Sequence, residues 1–287
     1  MQRFKFLAGP FCIFCVLLVF SSSCKPKKFI YKSPPHYDFS KYFSDKLDLR
    51  LKEISGIVWD NQNDEFIAHN DEKGIIYYLD RDTKGIKREF VFSEAKGDYE
   101  DIAMAKKDIY VLRSDGKLFR IVTDSTGKQN TFDAGQLESS GKNDFETLYY
   151  DAERRALVIL CKNCSTDDKK VVSAYAYYPD SIGFDNKPLF TIDVGKVDSL
   201  SPRPTSKRFQ PSAARIHPVL KKLFILSSAS NQLVVTDLDG NIENVYMLTK
   251  KLFPQAEGLT FKSNGDMYIS NEGVGSKGEL LKFVYIQ

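Results

Sequence analysis

From about residue 45 onward the apolar residues fall in short runs rich in Val, Ile, Leu, Tyr and Phe. No stretch holds the three-to-four spacing of an amphipathic helix. Turn-forming clusters such as "NQND", "SDGK", "LDGN" and "SNGD" separate the runs. β-branched and aromatic runs bounded by Asn, Asp, Ser and Gly predict strands joined by tight turns, and therefore an all-β domain.

The strands recur with a period. Each unit reads as a carboxylate, two or three small or apolar residues, a strand, a turn, an apolar strand ending in polar residues, and two further strands. Five copies align: "KEISGIVWD" into "EFIAHND", "YEDIAMA" into "DIYVLRSD", "FETLYYD" into "ALVILCKN", "PSAARIHP" into "KLFILSSAS", and "AEGLTFK" into "DMYISNEG". The key positions are Glu53, Glu100, Glu146, Ser212 and Glu257, at separations of 47, 46, 66 and 45 residues. The long interval contains "DSIGFDNKPLF" and "VDSLSPRPTSKRF", read here as a loop insertion. A four-stranded unit of about 45 residues, repeated, is the signature of a β-propeller. The last copy is one strand short, and the N-terminal "FSKYFSDKLDLRL" aligns with the fourth strands of the other copies. The expectation is a five-bladed β-propeller of four-stranded antiparallel blades, closed by an N-terminal strand. The alternative is six blades, with one hidden between residues 163 and 210.

Inner strands of a propeller line its central channel, so equivalent positions should form rings around the axis. Glu53, Glu100, Glu146 and Glu257, with Ser212 in the fourth copy, would then face one another. Carboxylates crowded in a partly desolvated space must be neutralised by protons or by a cation. Oxygen-only donors suit a hard ion, Ca²⁺ rather than Mg²⁺ when several protein ligands contribute. Asn70, Asp71, Asp101 and Glu272 are further oxygen donors nearby in the repeat. His69, Arg113 and Asn271, at the ends of second strands, are candidates for contacting a bound molecule. The alternative reading has the inner carboxylates satisfying backbone N–H groups, with Arg113 and Lys162 offsetting charge.

Before this domain the chain has the anatomy of an export signal. Arg3 and Lys5 precede an apolar run from Phe11 to Phe20, and Ser21, Ser22 and Ser23 lead to Cys24. This predicts a lipoprotein signal peptide over 1–23 and lipidation of Cys24, although Ser21 stands where such signals usually carry Leu. Residues 24–44 read as a polar tether and 45–287 as the propeller domain. Without Arg3 and Lys5 the chain has 39 basic and 38 acidic residues, and no basic patch that would suit nucleic acid. Cys161 and Cys164, as "CKNC", lack further ligands at zinc spacing, and a disulfide or two idle thiols is expected.

"EISGIVWD", "GDYEDIA", "DFETLYYD", "QPSAARIHP", "QAEGLTF" and "MYISNEG" resemble the repeat motifs of the SdiA-regulated family, across residues 45 to 287. These are exported or membrane-anchored bacterial proteins distantly similar to NHL-repeat propellers. The resemblance implies five blades, calcium at a shared site and no established activity. It places the metal among Glu53, Glu100, Glu146 and Glu257, with Asn70, Asp101 and Glu272 as secondary ligands.

Two functions fit these readings. One is a calcium-binding periplasmic module, lipid-anchored through Cys24 to a membrane of the cell envelope and binding a small molecule or envelope protein as a monomer. The other is a metal-dependent hydrolase of a lactone, ester or phosphoester, in which the ion polarises the substrate oxygen and a spare carboxylate acts as base.

Overall fold

The computed structural model describes residues 29–138, 140–181 and 183–287. The expected signal peptide (1–23) and lipid site at Cys24 lie outside these residues. The elements are β1 (Phe43–Lys46), β2 (Ile54–Asp60), β3 (Glu65–Asn70), β4 (Lys73–Leu79), β5 (Ile86–Lys96), β6 (Tyr99–Ala105), β7 (Asp108–Arg113), β8 (Lys117–Thr123) and β9 (Gln129–Gln136). They continue as β10 (Phe145–Asp151), β11 (Ala156–Cys161), β12 (Val171–Tyr178), β13 (Gly183–Asp193), helix α1 (Val194–Leu200), β14 (Ala213–Ile216), β15 (Leu223–Ser227), β16 (Gln232–Thr236) and β17 (Ile242–Met247). The last three are β18 (Ala256–Phe261), β19 (Met267–Asn271) and β20 (Glu279–Phe283).

Five four-stranded antiparallel sheets result. Four are sequential meanders, β2 to β5, β6 to β9, β10 to β13 and β14 to β17. The fifth runs β1-β20-β19-β18, so the N-terminal strand supplies the outer edge of the last blade. The innermost strands β2, β6, β10, β14 and β18 contact one another in order, and β18 returns to β2. The molecule is therefore a five-bladed propeller, and its ring is closed by joining the two ends of the domain in one sheet.

Apolar runs in the second strands are unbroken because both faces of each blade are covered. In β7, Ile109 and Val111 pack in a cluster shared with the first blade, whereas Tyr110 and Leu112 pack in one shared with the third. Five such wedges, one between each pair of neighbouring blades, make up the core. Close approach at the axis also restricts side-chain size. A Cβ on Gly56 would stand 2.9 Å from the Ile102 nitrogen and 3.0 Å from the Asp101 Cα, so β2 and β6 need glycine there.

Two sequence expectations change. The "GFDNKPLF" part of the presumed loop insertion is β13, the outer strand of the third blade, and α1 follows it. Only the segment 201–212 is irregular. The second change concerns the tether, because the compact unit begins at Tyr31 rather than at residue 45. Tyr37 is buried, and its hydroxyl is 2.6 Å from both His217 Nε2 and the Gly265 carbonyl oxygen. Phe39 packs at a tilt against Phe253 and Phe283, with ring centroids 5.2 and 4.7 Å away. Two aromatic anchors thus hold this polar stretch against the last two blades. Among the described residues no helix is long and apolar enough to cross a membrane.

Candidate metal centre

Four inner strands carry a bulge at the same place. Register steps leave Ser55, Glu100, Glu146 and Glu257 as the extra residue in β2, β6, β10 and β18. In the fourth blade Ser212 sits just ahead of β14, its N–H bonded to the Leu226 carbonyl at 2.9 Å. An extra residue re-aims its side chain, and here it turns toward the mouth of the channel.

The residues two places earlier form a second ring. Backbone N–H groups at the ends of the second strands donate to their carbonyls: Asp71 to Glu53 at 3.2 Å, Ser114 to Asp98 at 2.8 Å, Lys162 to Asp144 at 2.9 Å and Glu272 to Gln255 at 2.9 Å. This bond pattern corrects the phase of the first repeat by two residues. Glu53 is the counterpart of Asp98, Asp144 and Gln255, whereas Ser55 is the counterpart of Glu100.

Apart from Asp144 and Ser212, both rings line one cavity of about 180 Å³. Its wall carries the carboxylates of Glu53, Asp71, Asp98, Glu100, Glu146, Glu257 and Glu272 with the ammonium of Lys162, and Lys52 pairs with Glu53 at 3.4 Å from outside it. Oxygens of Glu100, Asp144 and Glu146 lie within 4.8 Å of one another. Lys162 is ion-paired with Glu146 and stands 3.9 Å from Asp144. Cys161 and Cys164 form a disulfide that brackets Lys162 and Asn163.

Burial sets the electrostatics. The Glu100 carboxyl is pushed up to about 9 by desolvation and then by Asp98, with Lys162 acting in the opposite sense. Desolvation pushes Glu257 up to about 7, against a hydrogen bond with Ser228 and the charge of Lys162. Asp71, Asp144 and Glu272 are also raised, each chiefly by burial. Asp71 Oδ1 is buried and has no hydrogen-bond partner. This is an over-acidic, under-compensated site.

The structure separates the remaining candidates from that cavity. Asp101 turns away from the mouth into the channel, where its oxygens accept from the Ile102 and Leu148 N–H groups at 2.7 and 2.8 Å and from Arg215. Burial raises its carboxyl while the guanidinium pulls against that rise. The Asn70 amide donates to the Arg50 carbonyl and its oxygen accepts from the Lys73 N–H. Asn271 donates to the Leu252 carbonyl. Arg113 is held by Asp115 at 2.6 Å. His69 is fully buried, its Nδ1 2.8 Å from the Asn70 carbonyl oxygen, and desolvation lowers it to about 4. Asp98 and Asp144 were missed as site residues, although "DYE" and "DFE" repeat the same spacing in the second and third units.

Arg215 closes the channel just inside the mouth. Its guanidinium donates to the carbonyls of Ile57, Ile102, Leu148 and Ala214, which occupy equivalent positions in four inner strands. The acidic cavity is therefore a pocket with a floor, open at one end of the ring.

The profile of the SdiA-regulated family matches residues 45–274, nearly the whole propeller. The chain belongs to the SdiA-regulated family. Comparison with curated proteins finds no match. Among solved structures, the chain is similar to a glutaminyl cyclase from Myxococcus xanthus, with 13% identity, 85% of this chain and 96% of that one covered, and a TM-score of 0.55. It is also similar to a PQQ-bound aldose sugar dehydrogenase from Streptomyces coelicolor (10% identity, 88% and 99% covered, TM-score 0.51). A protein of unknown function from Bacteroides thetaiotaomicron is a third (13% identity, 80% and 60% covered, TM-score 0.54). At these identities the likeness concerns the fold, which does not fix an activity.

Proposed function

We propose that this family member is a calcium-binding propeller module of the cell envelope, anchored to a membrane by lipid on Cys24 and facing the periplasm. The observation that carries the reading is the Glu100, Asp144 and Glu146 cluster, two of whose members line a cavity with seven carboxylates on its wall and one lysine. The donors fit the ion. All are oxygens, Asp71 Oδ1 lacks a partner, and neither imidazole nor thiolate lines the cavity. Glu100, Asp144 and Glu146 would hold the ion, and Glu53, Asp71, Asp98, Glu257 and Glu272 would supply the surrounding negative potential. Bound calcium would neutralise the ring and fix the mouth as a rigid platform for a small molecule or envelope protein. The remaining work falls to the chain: Arg215 and Asp101 set the floor, and the bulges aim the carboxylates.

One feature favours hydrolysis as a second reading. The cavity shares Glu146, Lys162, Gln255 and Glu257 with a larger cleft that could admit a substrate. Activity on lactones and phosphoesters that is lost with chelator would support it. The test of the primary reading is thermal unfolding with calcium and with chelator. Calcium should raise the midpoint and magnesium should raise it less, whereas identical midpoints in calcium and chelator would refute the reading.

A further inference from the structure

Beside the acidic cavity lies a cleft of about 680 Å³. Its outer wall is the irregular segment after α1, which has no counterpart in the other four blades. That segment contributes Arg203 and Lys207 to the cleft, and the loop after β17 contributes Lys250. Among the described residues neither Lys207 nor Lys250 is paired with a carboxylate. Arg203 is oriented by the Tyr31 hydroxyl at 2.9 Å. The acidic residues on the cleft wall, Glu146 and Glu257, stand at the end shared with the metal cavity, where Lys162 pairs with Glu146. The cleft's own charge is thus positive.

The rest of the lining is polar. Ser228, Ser230 and Asn231 come from the turn between β15 and β16. Ser230 Oγ donates to Ser227 Oγ at 2.8 Å and Asn231 Nδ2 to the Ser228 carbonyl at 2.6 Å, which leaves their oxygens as acceptors for a guest's hydroxyls. The segment 203–207 also borders a second cavity of about 520 Å³ on its other side. Arg203 of this strap lies over the Tyr31 ring at 5.3 Å, and residues 204–207 border a cavity on each side. A cleft of this size, with a few convergent polar and cationic groups, is large enough to enclose most of a small molecule.

We propose that this cleft binds a small polyhydroxylated anion, a sugar phosphate or sugar acid. Its negative group meets Lys207, Lys250 and Arg203, and its hydroxyls meet the oxygens of Ser228, Ser230 and Asn231. A phosphate or carboxylate bonded by these cations gains charge-assisted hydrogen bonds that a neutral sugar cannot make. The cations come from the insertion and the β17 loop, at the end of the cleft away from Glu146, Lys162, Gln255 and Glu257, which it shares with the metal cavity.

The test is calorimetric titration of the full-length protein with glucose 6-phosphate, gluconate and glucose, all in chelator to silence the metal cavity. Glucose 6-phosphate or gluconate should bind, and comparing them identifies the anion. Glucose should bind at least about tenfold more weakly. The Lys207→Ala, Lys250→Ala double variant should lose at least about tenfold in affinity for the anion while keeping the wild-type melting temperature. Binding of glucose as tight as that of the anions, unchanged affinity in the double variant, or no binding by either anion would overturn the proposal. Calcium titrations of the same variant separate the two sites. Failure of calcium to bind would refute the metal reading alone, and failure of the anions would refute this one alone.

Discussion

Arg215 of the fourth blade reaches across the channel to Asp101 of the second, its terminal nitrogens 3.0 and 3.2 Å from the two carboxylate oxygens. Both groups are buried, and their partners come from four different inner strands. The pair is the axial fastening of the ring. It also explains why Asp101 alone breaks the repeat pattern: an arginine on the axis needs one counter-charge.

Removing one member leaves the other charge buried. Arg215→Met should destabilise the domain by about 3–5 kcal/mol in denaturant unfolding. The Asp101→Asn, Arg215→Met double variant should recover part of that loss. A double variant less stable than the sum of the two single changes would contradict the pairing.

Lys162 is the internal cation of the acidic cavity, placed beside Glu146 by the four-residue disulfide loop. It competes with any metal for the same oxygens. Lys162→Met should therefore tighten calcium binding about tenfold, measured by titration. Weaker binding in the variant would mean that the lysine holds the cavity in shape rather than opposing the ion.

Calcium-free protein should respond to alkali through Glu257. Its carboxyl is raised from 4.5 to about 7, so the folded state holds the extra proton between those values. Stability is then greatest below pH 4.5 for this group and falls as pH rises to 7, by up to about 3 kcal/mol. Glu257→Gln in chelator should lower the slope over that range, the remainder coming from Glu100, raised to about 9, and from Asp71, Asp144 and Glu272. An unchanged slope would show that the proton is held elsewhere.

His217 works in the opposite sense. Burial lowers it from 6.5 to about 4, with His36 and Lys221 adding to the shift, and its Nε2 bonds the Tyr37 hydroxyl. The unfolded state binds the proton more readily, so this group's contribution is lost as pH falls from 6.5 to 4. Replacing His217 with Gln should reduce the difference in unfolding free energy between pH 7 and pH 5, the remainder coming from His69, lowered to a similar value. Tyr37→Phe should release residues 31–42 to proteolysis sooner than the blades.

Blade number, strand order and the closing strand were legible because each blade repeats one pattern of apolar runs and turns. The bulge carboxylates Glu100, Glu146 and Glu257 were legible for the same reason. Glu53 misled because it is a carboxylate one ring too early, while its neighbour Ser55 holds the bulge and carries no charge. Asp98 and Asp144 were visible only once the two-residue offset was known. Arg215 could not be paired with Asp101 from sequence, since 114 residues separate them and only ring closure brings them together. Tyr37 and Phe39 escaped notice because isolated aromatics in a polar stretch show no periodicity.

The central claim is that Glu100, Asp144 and Glu146 hold calcium at the channel mouth. Calorimetric titration of the wild type, Glu100→Gln and Asp144→Asn tests it most directly. The account predicts one calcium per wild-type chain, and affinity at least about tenfold weaker in each variant. Equal affinity in all three proteins, or no calcium uptake by the wild type, would contradict it.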